Sequence, residues 1–347
     1  MLIDEKYMRR ALQLARQGAG HTSPNPMVGA VIVAPDGTIV GEGWHRRCGE
    51  GHAEVNAVAS VKDVNRLKDS TLYVTLEPCS HYGKTPPCAR LIIERGIPRV
   101  VVGTLDPFKE VSGRGVAMLR QAGVEVVVGV LEQECRELNR RFLTAHTTGR
   151  PWVQLKWAQT ADGFIALPPD AGEHPLRMST PVTMRLMHRQ RALCDAIVVG
   201  ASTARIDNPS LTTRYWPGRS PLRVVLSHRL SIPDNLKLLN DGQPAIIYNG
   251  LKNETCGAVE YVKMDTDTPR AWLEDLYRRG VTSVMVEGGT QVLQQLIDAG
   301  VWDEARIEVS PRRVGQGTAA PVIAGPIREQ YLIGNQITYL VASALFP

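Results

Sequence analysis

Three residues of metal-ligating type stand near one another early in the sequence: His52, Cys79 and Cys88. One imidazole and two thiolates can hold a zinc ion and leave its fourth tetrahedral position to a water molecule, as catalytic zinc sites do. Glu54 lies two residues after the histidine, where it can move protons without being a ligand. The pattern therefore predicts a zinc ion that activates water and a carboxylate that transfers the protons.

A His-x-Glu sequence followed by Pro-Cys and a second cysteine is typical of zinc enzymes that remove an exocyclic amine from a base by hydrolysis. Two other interpretations stay open at this stage. The cysteines could be small core residues, or the zinc could be structural and closed by a fourth ligand. The residues that could supply that fourth ligand are Cys48, His45 and His81.

Eight residues separate the two cysteines, where the shortest form of the motif has two. This insert, residues 80–87, must loop out beside the metal. We therefore expect His81, Lys84 and Thr85 to lie where they can contact a substrate.

The elements that must position these residues alternate between strands and helices, which is typical of an α/β fold. The hydrophobic pattern predicts helices at 4–18, 52–62, 88–95, 115–122 and 131–143, and strands at 27–33, 38–40, 71–76, 100–103 and 124–129. The turn at 35–37 indicates an antiparallel hairpin at the start of a mixed sheet. His52 and Cys88 then stand at the starts of two helices, whose N-termini favour thiolates.

A polar break at 147–151 predicts a boundary between two domains, residues 1–146 and 150–347. In the second we expect helices at 181–193, 270–279 and 290–299 and strands at 152–158, 196–200, 223–227, 245–248, 283–286, 305–310 and 338–344. Residues 201–214 read as a polar loop after a buried strand, where ligands of α/β proteins bind. The turn Glu287-Gly288-Gly289 before a helix could approach a phosphate, or could be an ordinary connection.

Composition narrows the class of protein. The chain has 347 residues, enough for two domains, and a formal net charge of +5 without a basic run. This charge balance fits a small anionic substrate and argues against an enzyme that edits nucleic acids. In addition, no apolar run is long enough to span a membrane. The six scattered cysteines, without a secretory signal, predict reduced thiols and a cytoplasmic enzyme.

The stretches Pro24 to Gly29, His52 to Glu54 and Glu77 to Cys88 resemble the bifunctional deaminase–reductase family of riboflavin biosynthesis, and the resemblance covers nearly the whole chain. It implies a cytidine-deaminase-like three-layer N-terminal domain and a dihydrofolate-reductase-like C-terminal domain. By resemblance, the first domain deaminates diaminohydroxyphosphoribosylaminopyrimidine with zinc, and the second reduces the ribosyl group to ribityl with NADPH.

The resemblance also implies roles for individual residues. His52, Cys79 and Cys88 match the zinc ligands and Glu54 matches the proton shuttle. The positions matching substrate contacts in the first domain are Asn25, His45, His81, Lys84 and Thr85. In the second domain, the substrate positions are Arg191, Leu211, Arg214 and Glu287, and the cofactor positions are Ala158, Thr203, Asp207, Gly289, Thr290 and Gln291. Asp207 is also a candidate for positioning or proton relay.

Two departures from the family pattern stand near the expected cofactor site. Leu176-Arg177-Met178-Ser179 lacks the usual aromatic residue, and Ser227-His228 replaces Asp-Ser. Arg177 and His228 could favour the 2′-phosphate of NADPH, and the departures leave open a deaminase with a degenerate reductase domain. A zinc-stapled binding module without activity is a further alternative. The family resemblance also implies a homo-oligomer, expected to be a dimer.

Overall fold

The computed structural model describes residues 3–81, 86–107, 112–168 and 176–342. The chain divides into two compact units, Met1–Gly149 and Arg150–Pro347. In the part of the chain that is described, no helix combines the length and the apolar composition needed to cross a membrane.

The first unit is built on a mixed sheet. Its helices are α1 (Ile3–Ala15), α2 (Ala53–Ala59), α3 (Cys88–Glu94), α4 (Arg114–Gln121), α5 (Glu132–Leu138) and α6 (Arg140–Thr148). Its strands are β1 (Gly29–Val33), β2 (Ile39–Trp44), β3 (Thr71–Leu76), β4 (Arg99–Thr104) and β5 (Glu125–Val128). The strand order is β2-β1-β3-β4-β5, with β1 antiparallel to both of its neighbours and β3, β4 and β5 parallel.

Alternate residues of β1 enter opposite cores. Ala30 and Ile32 pack with α2, α3 and α4, whereas Val31 and Val33 pack with α1 and α5. Because successive side chains of a strand point to opposite faces, an apolar strand of this kind lies between two helical layers. The expected three-layer mixed α/β architecture is confirmed.

The second unit is built on a long, largely parallel sheet. Its helices are α7 (Pro181–Leu193), α8 (Ala201–Asp207), α9 (Lys237–Asn240), α10 (Pro269–Arg278) and α11 (Thr290–Asp298). Its strands are β6 (Trp152–Thr160), β7 (Phe164–Ala166), β8 (Ala196–Gly200), β9 (Leu222–Leu226), β10 (Ala245–Asn249), β11 (Glu254–Cys256), β12 (Val259–Lys263), β13 (Ser283–Val286), β14 (Glu304–Ser310), β15 (Thr318–Ala319), β16 (Ile327–Ile333) and β17 (Asn335–Val341). The main sheet runs β11-β12-β10-β9-β8-β13-β6-β14-β17-β16, and β12 to β14 in that order are parallel.

Three predictions about local structure need correction. The expected loop at 201–214 begins with helix α8, which is favoured by Ala201 and Ala204 and ends where Asn208 adopts a left-handed conformation. The expected helix at 131–143 is two helices that meet at Asn139, and the second continues through Thr148 into the predicted break. Strands β7, β11, β12, β15 and β16 were not predicted; β7 and β15 are short, and β11 and β16 lie at the two edges of the main sheet, where the periodic signal is weak.

Candidate active sites

The three predicted zinc ligands meet at one point. His52 Nδ1 lies 3.3 Å from Cys88 Sγ and 3.6 Å from Cys79 Sγ, and the three ligand atoms all lie within 4.8 Å of one another. Zinc bonds of about 2.0 Å to nitrogen and about 2.3 Å to sulfur, at a tetrahedral angle, require an N···S separation of about 3.5 Å. The donor set therefore fits zinc in both chemistry and spacing.

Secondary structure fixes each ligand. His52 is the residue before the first turn of α2, and Cys88 is the first residue of α3. Cys79 follows β3, and its sulfur accepts a hydrogen bond of 3.2 Å from the backbone N–H of Cys88. The start of α3 thus supplies both a ligand and a hydrogen bond that favours the thiolate form of the other cysteine.

The two thiols shift each other's pKa in opposite directions. Hydrogen bonds from the Cys88 thiol and from His52 lower the pKa of Cys79 to about 4, although burial opposes this shift. The same thiol–thiol hydrogen bond, together with burial, raises the pKa of Cys88. One negative charge is thus shared between two sulfur atoms, which is the arrangement that a divalent cation converts into two thiolates as it binds.

Glu54 lies on the first turn of α2 and is 3% exposed. Burial and the negative charge of Cys79 raise the pKa of its carboxyl group to about 7. A zinc ion beside it would act in the opposite direction, because a cation favours the carboxylate. The buried carboxyl group lies beside the metal ligands, where a general acid–base residue must be to exchange protons.

Beside these residues lies a cavity of about 500 Å³, which we call the metal-side cavity. His45 is buried in its wall: Nδ1 lies 3.1 Å from the Gly51 carbonyl, and Nε2 lies 3.2 Å from Asn25 Nδ2. The Gly51 contact requires the proton on Nδ1, so Nε2 accepts from the Asn25 amide. Burial also lowers the pKa of His45. This histidine therefore holds Asn25 rather than a metal.

Asn25 is also fixed through its own segment. The Asn139 side chain accepts from the Met27 N–H at 2.8 Å and donates to the Met27 carbonyl at 2.9 Å. The Asn139 side chain thus makes the two hydrogen bonds to Met27 that the backbone of a neighbouring strand would make. Asn139 lies between the end of α5 and the start of α6. The break between these helices, which the sequence pattern missed, keeps Asn25 at the cavity wall.

Glu77 ties the cysteine loop to the loop before α4. Its carboxylate accepts hydrogen bonds from the backbone N–H groups of Asp106, Gly113 and Val116 at 3.2, 2.9 and 3.1 Å. A Cβ at Gly115 would lie 2.0 Å from the Pro78 carbonyl oxygen, so only glycine permits this close approach. The residue immediately before Pro78 and Cys79 is therefore held by three amides.

Only some of the other predicted residues of the first unit can be assigned to the site. Asn25, His45 and His81 line the metal-side cavity, whereas Lys84 and Thr85 lie outside the described residues. The cavity wall also includes residues that sequence reasoning missed, namely Asp106, Phe142 and His146. The rings of Phe142 and His146 meet edge to face at 4.4 Å. Both come from α6, and their spacing of four residues on one helix face was the available signal.

In the second unit a cavity of about 740 Å³ opens near the carboxyl ends of parallel strands, and we call it the strand-end cavity. The predicted residues that line it are Ala158, Arg191, Thr203, Asp207, Leu211, Glu287, Gly289, Thr290 and Gln291. These come from β6, α7, α8 and the loop after it, the turn after β13 and the start of α11. The prediction that the glycine turn and the segment after β8 share a site agrees with where ligands bind in open α/β sheets.

Glu287 and Arg191 form a buried bidentate pair on this wall. Arg191 Nε and Nη2 donate to the two carboxylate oxygens at 2.9 and 2.7 Å, and Nη1 donates to the Thr212 carbonyl at 3.2 Å. Burial alone would raise the pKa of Glu287, but the charge and hydrogen bonds of Arg191 outweigh it and lower the pKa to about 2. Glu287 is therefore a carboxylate at neutral pH, and Arg191 holds both of its oxygen atoms in place through two hydrogen bonds.

Lys156 also lines the strand-end cavity, and sequence reasoning missed it. It interrupts the apolar pattern of β6, which was the available signal. Burial lowers the pKa of its ammonium group, while the nearby carboxylates of Glu287 and Glu308 act in the opposite direction. A lysine in such surroundings can both carry a charge and release a proton more readily than an exposed lysine.

An adjoining cavity of about 440 Å³ shares Ser202, Thr203, Gly289 and Gln291 with the strand-end cavity and extends to His228. Arg177 is exposed, and among the described residues it is its neighbour Met178 that lines the strand-end cavity. Arg214 is also exposed, and its guanidinium contacts Ser210 and Thr212 instead. The structure thus places His228 in a cavity wall but places Arg177 and Arg214 outside both linings, as far as the described residues define them.

Comparison with known proteins gives the same division of the chain. Residues 1–104 match the cytidine and deoxycytidylate deaminase zinc-binding region, and residues 151–335 match the RibD C-terminal domain. The chain is 40% identical to the riboflavin biosynthesis protein RibD of Aquifex aeolicus, over 91% of this chain and 89% of that protein. It is 35% identical to RibD of Escherichia coli, over 90% and 89% of the two chains.

Solved structures show the same relationship. A diaminohydroxyphosphoribosylaminopyrimidine deaminase/5-amino-6-(5-phosphoribosylamino)uracil reductase from Thermotoga maritima superimposes with a TM-score of 0.88 at 36% identity, covering 98% of this chain and 99% of that one. RibD of Acinetobacter baumannii gives the same TM-score at 29% identity, with the same coverage. The match of the reductase half does not favour a deaminase with a degenerate second domain. The chain belongs to the RibD family of riboflavin biosynthesis and is a bifunctional enzyme with a zinc-binding deaminase domain and a reductase domain.

Proposed function

We propose that the first unit deaminates diaminohydroxyphosphoribosylaminopyrimidine and that the second reduces the ribosyl group of the product to ribityl. The observation that carries the deamination is the meeting of His52, Cys79 and Cys88 beside the buried Glu54 carboxyl group. The substrate is the one named for the Thermotoga maritima protein of the same fold.

In the first unit, zinc supplies an activated water molecule. Glu54 takes a proton from that water and delivers protons to the ring nitrogen and to the departing amine, since the reaction needs both transfers. Because the Asn25 amide nitrogen is engaged by His45, its carbonyl oxygen is turned to accept from an amine N–H of the pyrimidine.

The first unit also has room for the sugar phosphate. A second cavity of about 480 Å³ shares Asn25, His52, Cys79 and His81 with the metal-side cavity and reaches Pro86. The pyrimidine would occupy the metal-side cavity and the ribose phosphate this neighbour, beside the insert. His81, Lys84 and Thr85 remain the proposed contacts there, with cationic Lys84 suited to the phosphate.

In the second unit, NADPH supplies a hydride to the sugar carbon. The reduction also consumes a proton, and Lys156 is the proposed donor, because Glu287 is held as a carboxylate by Arg191. Leu211 lines the strand-end cavity and would contact the substrate there, and Arg214 would have to turn from Ser210 and Thr212 to reach the phosphate.

The cofactor would extend from the strand-end cavity into the adjoining cavity. Thr203, Gly289 and Gln291 border both cavities, and the N-terminus of α11 offers backbone N–H groups to a phosphate. His228 lies at the far end, where it could meet a 2′-phosphate. Ala158, Asp207 and Thr290 line the end proposed for nicotinamide, and we no longer assign a contact to the exposed Arg177.

We further propose a small-molecule enzyme without a nucleic-acid partner, working in the cytoplasm as a homodimer. The modest net charge of +5 and the resemblance to the family support this, and sedimentation of the purified chain would test the dimer.

Mass spectrometry of the products tests the whole proposal. The zinc-loaded protein is given the diaminopyrimidine phosphoriboside, first alone and then with NADPH. We expect exchange of an amine for oxygen in the first reaction, and a further gain of two hydrogens in the second. Exchange alone in both reactions would contradict the reductase assignment, and unchanged substrate would contradict the deaminase assignment.

A further inference from the structure

Arg306 on β14 is an unusual buried cation. Its side chain is fully buried, and within the described part of the protein its Nε, Nη1 and Nη2 atoms make no hydrogen bond. A guanidinium keeps its charge at every physiological pH, and burying it without hydrogen bonds is costly. Among the described residues, the carboxylate that forms an ion pair with it is that of Glu308, whose Oε2 lies 3.6 Å from Nη1, beyond hydrogen-bonding distance.

Strand register puts this cation beside the strand-end cavity. In the parallel ladder of β6 and β14, Arg306 is the partner of Lys156, so the two side chains point to the same face of the sheet. Lys156 reaches the cavity wall, whereas Arg306 stays in the interior. Like charges in this relation repel each other, and only the lysine has open space to move into.

Glu308 is held in place from its other side. Its carboxylate accepts hydrogen bonds from Thr183 and Asn335, both at 2.6 Å, and from Ser179 at 3.0 Å. Thr183 also belongs to the capping box that begins α7, so the acid is fixed by the helix that carries Arg191. Arg306 and Glu308 therefore form a rigid pair of opposite charges behind Lys156.

We propose that Arg306 and Glu308 are positioning residues of the reductase: Arg306 drives the Lys156 ammonium toward the cavity and Glu287, and Glu308 keeps it charged. This inference rests on the role proposed above for Lys156. The groups that act on Lys156 come from three elements. They are Arg306 and Glu308 on β14, Glu287 after β13, and Arg191 and His188 on α7.

The two charges have opposite signs, which makes the proposal testable. In Arg306→Gln, loss of the cation favours protonated Lys156, so the basic limb of the pH profile of reduction moves to higher pH, by about one unit. In Glu308→Gln, loss of the anion moves that limb to lower pH, while the remaining amide oxygen can still accept hydrogen bonds. The rates are measured as NADPH oxidation with preformed deaminated substrate.

The same chain supplies the control. Deamination should be unchanged in both variants. If R306Q does not fold, E308Q carries the test alone. Profiles that stay in place or move in the same direction would contradict the proposal.

The Lys156→Met variant distinguishes failure of this inference from failure of the proton-donor role proposed above for Lys156. Full reduction by K156M would contradict the role of Lys156 as proton donor. An inactive K156M, together with unmoved profiles in R306Q and E308Q, would contradict only the role of the buried pair.

Discussion

The two units assemble their sites from very different spans of sequence. The metal ligands and Glu54 lie between residues 52 and 88, at the starts of two helices and the end of one strand. The strand-end cavity draws Lys156, Arg191, Asp207 and Glu287 from four separate elements. A site formed by neighbouring elements leaves a motif in the sequence, whereas a site formed at the edge of a sheet leaves scattered single residues.

The units also differ in how the charges at their sites are neutralised. The two cysteines of the first share one negative charge and are completed by a cation from solution. The second contains its own counter-ions, since Arg191 already neutralises Glu287. We therefore expect the first site to depend on metal and the second to depend on the integrity of buried pairs.

Removal of zinc should produce the largest difference between the activities of the two sites. Dialysis against a chelator should abolish deamination, because no other group supplies the activated water, while reduction of preformed product continues at its original rate. Activity of each kind is followed before and after zinc is restored. Loss of both activities on chelation would contradict independent sites.

Replacement of the proton shuttle should have the next largest effect. Glu54→Gln keeps the size and most of the packing but cannot transfer protons, so deamination should fall by about 10²- to 10⁴-fold. Zinc content and reduction should match wild type, and both can be measured on the same sample. A variant that deaminates at more than a tenth of the wild-type rate would contradict the assignment of Glu54.

The buried pair of the second unit gives a third test. Glu287→Gln leaves Arg191 buried without its counter-charge, which costs about 3–5 kcal/mol of the free energy of unfolding. The matched control is Glu274→Gln, which breaks the exposed Arg270–Glu274 pair and should cost less than about 1 kcal/mol. Urea unfolding measures both, and equal effects would contradict the importance of burial.

A smaller effect is expected at Asn25. Asn25→Ala removes one hydrogen-bonding group from the metal-side cavity, so KM for deamination should rise by about 10-fold or less, with zinc content unchanged. Reduction serves as the internal control. An unchanged KM would show that the Asn25 amide does not contact the substrate.

Acid should weaken the second unit through His188. Burial, followed by the charges of Arg191 and Arg214, lowers the pKa of this histidine from 6.5 to about 4. The unfolded chain then binds more protons than the folded one between these values, so stability falls as pH drops from about 6.5 to about 4, by at most about 3 kcal/mol. His188→Gln should show a shallower fall in urea midpoint over this range, and an identical fall would contradict the role of His188.

The sequence predicted the first site better than the second for a physical reason. His52, Cys79 and Cys88 are unusual residue types at a restricted spacing, so chemistry alone identified them. Lys156 and Arg306 are ordinary types that become significant only when β6 and β14 pair in register. Helix α8 was mistaken for a loop because its polar residues face a cavity rather than a core.

The three amide groups that bind the Glu77 carboxylate have a consequence for sequence variation in this family. Their protons should exchange with solvent as slowly as those of the adjoining strand, because each is satisfied by a buried acceptor. Both ends of the segment from Asp106 to Gly113 are therefore anchored to the residue that precedes Pro78 and Cys79. Because Asp106 lines the metal-side cavity and Cys79 is a metal ligand, we expect a substitution at Glu77 to change substrate selectivity and metal binding together.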